Sequence, residues 1–141
     1  MSTKSEISAG ALFFEKQSPF SFSDTVEKLT KEIENTGWSL PHVYDLQQTM
    51  AKHGKSVLPV KVLSLCHPKH SARILERNDE RIVSSMMPCR ISVYEKADGK
   101  TYVSMMNSQI VAKSLGGLIE EVMTDSSVEV EGIIADALKQ A

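Results

Sequence analysis

The sequence predicts an α+β fold in two layers, and three observations carry the prediction. An alternating pattern forms a hairpin at about residues 90–106, the apolar run at 60–66 carries hydrophobic side chains on both faces, and apolar stripes at helical spacing flank both segments. At 141 residues the chain suits one core, so it is read as a single domain, 1–141, with about residues 1–8 a flexible amino-terminal tail.

Ala11-Leu12-Phe13-Phe14-Glu15-Lys16 is short, apolar and aromatic, which predicts a strand, and Pro19 ends it. Ser21, Ser23 and Asp24 are candidate caps, because a short oxygen-bearing side chain satisfies the unpaired amides of a first helical turn. Val26, Leu29 and Ile33 follow as one buried stripe, and Gly37 sits where a left-handed residue closes a helix. The helix should run from about Asp24 to about Thr36. Trp38 to Leu46 reads as an edge or irregular strand, since Pro41 cannot donate to a ladder. Gln47 to Lys52 fits a short helix closed near Gly54.

Val60 to Cys66 comes next. Leu58, Val60, Val62, Ser64 and Cys66 form one face while Leu63 and Leu65 supply the other, as in a central buried strand. Pro68 fits a first helical position, where its missing amide costs nothing, and Ala72, Ile74 and Leu75 give that helix a buried side. Asn78-Asp79 should end it. Ile82 to Met87 is an apolar linker lying against the core, and Pro88-Cys89 opens the hairpin.

Parity selects the hairpin's turn. A two-residue turn at Asp98-Gly99 would set Ile91 and Val93 opposite Met106 and Ser104, whereas a three-residue loop with Gly99 as a left-handed bulge sets them opposite Met105 and Val103. The second register gathers apolar residues on one face and is preferred; Cys89 shares that face. After it, Asn107 or Ser108 caps a helix with the stripe Val111, Leu115, Leu118 and Val122, interrupted at Gly116-Gly117. Asp125, Ser126 and Ser127 should cap a last helix whose stripe is Val130, Ile133 or Ile134, and Ala137.

Composition limits the function classes. Apolar content of 41% and charged content of 24% match an ordinary globular protein, which argues against disorder. Sixteen basic and eighteen acidic residues leave a net charge of -2 with no basic run, so neither nucleic acid nor a membrane surface is expected as a partner. The apolar stretch Ala9 to Phe14 is too short for a signal peptide or a membrane span. The expected compartment is the reducing cytoplasm, where cysteines act as free thiols, redox groups or metal ligands rather than a structural disulfide. The seven methionines are read as packing.

Reactive side chains concentrate at Cys66-His67-Pro68 and at Pro88-Cys89. Parallel pairing of their strands would hold the cysteines roughly 20 Å apart at about 3.3 Å per residue. A disulfide needs the Cα atoms within about 7 Å. Antiparallel pairing would bring the strand ends together, and the sequence leaves both arrangements open.

A helix start and a nearby imidazolium both favour thiolate at Cys66, yet His67, the next residue along an extended segment, points to the opposite side. His70 could return toward Cys66, though the plainer reading is a solvated histidine on a helix face. A zinc site would need Cys66, Cys89 and His67 or His70, and that spacing is no known structural-zinc framework. His42 and His53 are isolated and read as surface residues. Glu120-Glu121 and Glu129 with Glu131 read as charged helix faces, and Gly116-Gly117 lacks the rest of a phosphate loop. No cofactor is expected.

Taken together, a Ser-Phe-Ser-Asp-Thr-Val helix entry, a strand ending in Cys-x-Pro, a linker into Pro-Cys, and a Val-Tyr-Glu hairpin with Asp-Gly-Lys and Val-Ser-Met resemble the prokaryotic family called domain of unknown function 302. The resemblance covers about Phe13 to Leu118 and rests chiefly on Cys66, Pro68, Pro88, Cys89, Tyr94, Gly99, Val103, Ser104 and Met105. It implies helices packed on a mainly antiparallel mixed sheet and a homodimer, and it implies no activity, substrate or cofactor. The chain departs from the family where His67 stands for asparagine, which should weaken the following helix's cap, and at Ser108, near which the family has proline.

The functional expectation is a small-ligand or protein-binding module whose site lies at Cys66, His67, Pro68 and Cys89. The competing expectations are a thiol-dependent redox protein or enzyme using Cys66 or Cys89, and a metal-binding protein.

Overall fold

The structure, a computed structural model, describes residues 12–140; the expected tail at residues 1–8 and the first residue of the expected opening strand lie outside the described residues. Five strands form one sheet: β1 (Phe13–Gln17), β2 (Ser39–Asp45), β3 (Val60–Cys66), β4 (Cys89–Glu95) and β5 (Thr101–Met106). Their order is β1-β5-β4-β3-β2 and all four pairings are antiparallel, so the expected antiparallel sheet stands without a parallel member among the described strands. β3 is interior, as its two apolar faces require, though β4 holds the middle place.

The α-helices are α1 (Phe22–Asn35), α2 (Leu46–Lys52), α3 (Pro68–Leu75), α4 (Ser108–Leu115) and α5 (Gly117–Ala137). Ser21 caps α1, its hydroxyl accepting from the Asp24 amide at 3.1 Å, and Leu29 and Ile33 of the expected stripe are fully buried. Thr25 takes the remaining buried position and meets Ser18 through a 2.7 Å hydrogen bond between hydroxyls. β2 is the edge strand expected from Pro41. Its register slips between Ser39, opposite Cys66, and His42, opposite Ser64, which places one extra residue beside the proline.

The hairpin adopts the register that parity favours: Val93 faces Val103 and Ser92 faces Ser104. Gly99, at φ +78°, donates its amide to the Lys96 carbonyl at 2.9 Å, and this left-handed residue allows the three-residue loop. The core gathers on one sheet face. Leu63 and Leu65 of β3, Ile91 and Val93 of β4 and Val103 of β5 pack against Leu29 and Ile33 of α1 and Val130 and Ile134 of α5. A smaller cluster of Ile74, Val83 and Val122 joins α3 and α5 to the segment between α3 and β4.

Three local expectations are corrected. The linker over 82–87 is largely a 3-10 helix, Asp79–Met86, which buries Val83 and leaves Ile82 exposed. The helix breaks at Gly116, φ +65° and ψ -172°, as the interruption allowed, but the expected stripe shifts: Ala112 is the buried residue of α4 and Leu115 is exposed. No new helix starts at Asp125-Ser126-Ser127, because α5 runs through it. Ser126 and Ser127 fall on the buried stripe with Val122 and Val130, and a cap-forming residue does not stop a helix whose inward face is already packed.

Candidate functional site

β3 ends, β4 begins and β5 ends at the same edge of the sheet, and a cleft of about 330 Å³ opens there. Leu65, Cys89 and Met105 border it from the core face of the sheet, while Val62, Ser92 and Ser104 border it from the opposite face. Ile74 of α3, Val83 of the 3-10 helix and Val122 and Met123 of α5 form the helical side. Five of the seven methionines, Met86, Met87, Met105, Met106 and Met123, line this one cleft. Methionine is therefore concentrated along this cleft, where Met105 also belongs to the main core and Met87 packs on the smaller cluster.

Antiparallel pairing answers the question left by the sequence. Cys89 stands opposite Leu65, so Cys66 is its diagonal neighbour across the β3–β4 ladder, and both thiols are free. Successive residues of a strand alternate in direction, so the pleat sends Cys66 and Cys89 to different sides of the sheet at the point where the cleft wraps its end. Burial, with Cys66 nearby adding to the effect, pushes the Cys89 thiol up to about 11. The Cys66 sulfur lies 3.3 Å from the Ser71 hydroxyl, one turn into α3.

His67 and His70 both border the cleft, and they differ from their expected roles. His67 caps α3 instead of weakening it, its Nδ1 accepting from the Lys69 amide at 3.3 Å. His70 is not a solvated helix-face residue: its side chain is 12% exposed and its Nε2 donates to Glu129 Oε2 at 2.8 Å. The Trp38 indole N–H donates to the other oxygen of the same carboxylate at 3.0 Å. Trp38, His67 and His70 form a ring cluster with centroids 5.0 to 5.8 Å apart.

Glu129 is thus a clasp rather than part of a plain charged face. Burial acts to raise its carboxyl, but the hydrogen bonds from His70 and Trp38 and the charges of the two histidines outweigh it and hold the group below the usual carboxylate range. Donation to a carboxylate requires a proton on His70 Nε2, and the ring's other nitrogen, Nδ1, is buried without a hydrogen-bond partner. Arg73 adds a second tie between α3 and α5 through Glu121 and Asp125.

Of the residues singled out from the sequence, Cys66, His67 and Cys89 meet at the cleft. Pro68 occupies the first position of α3, is exposed, and is not among the lining residues. Sequence reasoning missed Trp38, Glu129 and the methionines. The signal for Trp38 was its position just after Gly37, where the chain leaves α1 for the sheet. Nothing local links Trp38 to Glu129, 91 residues away. Among the described residues no three histidine, cysteine, aspartate or glutamate side chains cluster closely enough to hold a metal ion, and no helix is long and apolar enough to cross a membrane.

The family model described as domain of unknown function DUF302 matches residues 14–141. The fold is similar to that of the crystal structure of an uncharacterized conserved protein DUF302 from Bacillus stearothermophilus. The TM-score is 0.79 at 19% identity, over 90% of this chain and 98% of that one, a likeness of fold alone. No curated protein matches the chain.

Proposed function

Because this chain belongs to the DUF302 family, whose description carries no reaction, we propose a function from the cleft itself: the protein is a cytoplasmic module that binds a small, largely apolar molecule at the sheet edge where β3 ends and β4 begins. The observation that carries this reading is the cleft, whose 330 Å³ is within the range of small-molecule sites and whose thioether and aliphatic wall is interspersed with serine hydroxyls, two histidines and Arg90. Flexible methionines let such a wall adapt to a ligand's shape.

Trp38, the single tryptophan, borders the cleft and supplies the readout. An uncharged, environment-sensitive naphthalene dye should bind with energy transfer from Trp38, and Met123→Trp, which fills the helical side, should abolish binding. Absence of dye binding, or equal binding by the Met123→Trp protein, overturns the reading. Thiol chemistry at Cys89 is the weaker alternative, since a thiol raised to about 11 is protonated at neutral pH and is a poor nucleophile.

The uncovered side of the sheet supports a second copy of the chain as partner. Phe13, Tyr44 and Met106 lie on the face opposite the core and are each two-fifths to one-half exposed. Sedimentation that gives a monomer mass at micromolar concentration would exclude the homodimer; a dimer dissociated by Phe13→Asp would support it.

A further inference from the structure

The charge on the cleft's lining is one-sided, the Glu129 carboxylate standing behind it on His70 and Trp38. The protein has eighteen acidic residues, yet no aspartate or glutamate lines this site. Its permanently charged lining residue is Arg90, accompanied by the titratable rings of His67 and His70. Register fixes the surroundings of Arg90. Ser92 lies two residues along β4 and therefore on the same sheet face, and Ser104 stands directly opposite Ser92 on β5. Arg90, Ser92 and Ser104 all border the cleft from that face.

Arg90 is exposed, and no carboxylate of the described residues pairs with it. Arg73 behaves otherwise: it meets two carboxylates, Glu121 and Asp125. An unpaired guanidinium beside hydroxyls, at the border of an apolar wall, suits a planar anion, because its fork of N–H donors matches the two oxygens of a carboxylate. A cationic ligand would find repulsion from Arg90 and no acidic partner in the lining. An uncharged apolar ligand would leave the guanidinium unused.

Resting on the cleft being a ligand site, we propose that its ligand is an apolar carboxylic acid. The carboxylate is held by the Arg90 guanidinium beside the Ser92 and Ser104 hydroxyls, and the hydrocarbon body lies among the methionines and aliphatic side chains toward Ile74 and Val122.

Calorimetric titration of the full chain with decanoate and with decanol tests the proposal, on the wild-type protein and on Arg90→Gln and Arg90→Lys variants with matched unfolding midpoints. A charge-assisted hydrogen bond predicts that wild type binds decanoate about tenfold or more tighter than decanol. Arg90→Gln should weaken decanoate binding far more than decanol binding and bring the two close together, while Arg90→Lys keeps part of the preference. Equal affinity of wild type for acid and alcohol, or undiminished decanoate binding by Arg90→Gln, overturns the carboxylate assignment and leaves the apolar cleft standing. Tighter binding of decyl sulfate than of decanoate replaces the planar head with a tetrahedral oxyanion and also overturns it. Binding of none of these probes removes the cleft as a ligand site and this proposal with it.

Discussion

His70 on α3 and Glu129 on α5 meet through a 2.8 Å hydrogen bond, and the second oxygen of that carboxylate receives the Trp38 indole N–H. One side chain thereby joins the short helix after β3, the long carboxy-terminal helix and the start of β2. These are three of the elements around the cleft, so the clasp sets the distance between its walls. Removing it should loosen the site before it unfolds the protein.

Glu129→Gln tests the clasp through its pH dependence. A carboxyl held below its usual range contributes stability that is present above the unfolded value and is lost as pH falls through the folded one. Because the side chain is nearly half exposed, solvent screening limits the effect to about 1 kcal/mol or less. Urea unfolding should show Glu129→Gln slightly less stable than wild type at neutral pH, with the difference closing in acid. Equal stability at neutral pH would mean that the clasp contributes nothing.

Cys89 should resist alkylation until strongly basic pH. With its thiol raised to about 11, chiefly by burial, the fraction of reactive thiolate near neutrality is small. Stability linked to this group is intact below the unfolded value of about 9 and declines as pH rises toward 11, since the unfolded chain ionises first. Peptide mass spectrometry after timed iodoacetamide labelling gives the rate at each pH. Rapid labelling of Cys89 at neutral pH in the folded protein would contradict the burial argument.

Gly99→Ala should cost about 1 kcal/mol or somewhat more. Nothing lies within 4 Å of an added Cβ, so the penalty is conformational and comes from φ +78° alone. Thermal unfolding measures it. A neutral effect would indicate that the loop between β4 and β5 can turn without a left-handed residue.

Much of the fold was legible because local rules and burial agree there. The hairpin register followed from parity and Gly99, the edge character of β2 from Pro41, and the start of α3 from Pro68. The rest depended on contacts that no window of sequence contains. Ser126 and Ser127 look like caps, yet they lie inside α5 because small side chains are what a closely packed inward face accepts. His70 and Glu129 look solvated until two helices 59 positions apart are brought together. The two cysteines do border the cleft, but the pleat separates their directions, and its walls come from methionines that read individually as packing.

The edge strand β1 has its own anchor, and it gives a last prediction. Glu15 accepts hydrogen bonds from the Tyr94 hydroxyl and from Lys96, whose ammonium also lies 4.2 Å from the centre of the Tyr102 ring. The Glu15 side chain is only 13% exposed, so its partners compensate for the water it gives up. Tyr94→Phe leaves Lys96 in place and should destabilise the protein by about 1 kcal/mol, with faster amide exchange along Phe13–Gln17. The pH profile separates this anchor from simple packing. Burial first, and then the hydrogen bond to Glu15, raise the Tyr94 hydroxyl above its ordinary value of 10.0. The stability it contributes is complete below that value and is lost as pH rises above it, when the unfolded chain ionises while the folded one resists. Wild type should therefore lose stability more steeply than Tyr94→Phe in the alkaline range. Parallel alkaline profiles for the two proteins would show that the Tyr94 hydroxyl adds nothing to the hold on β1.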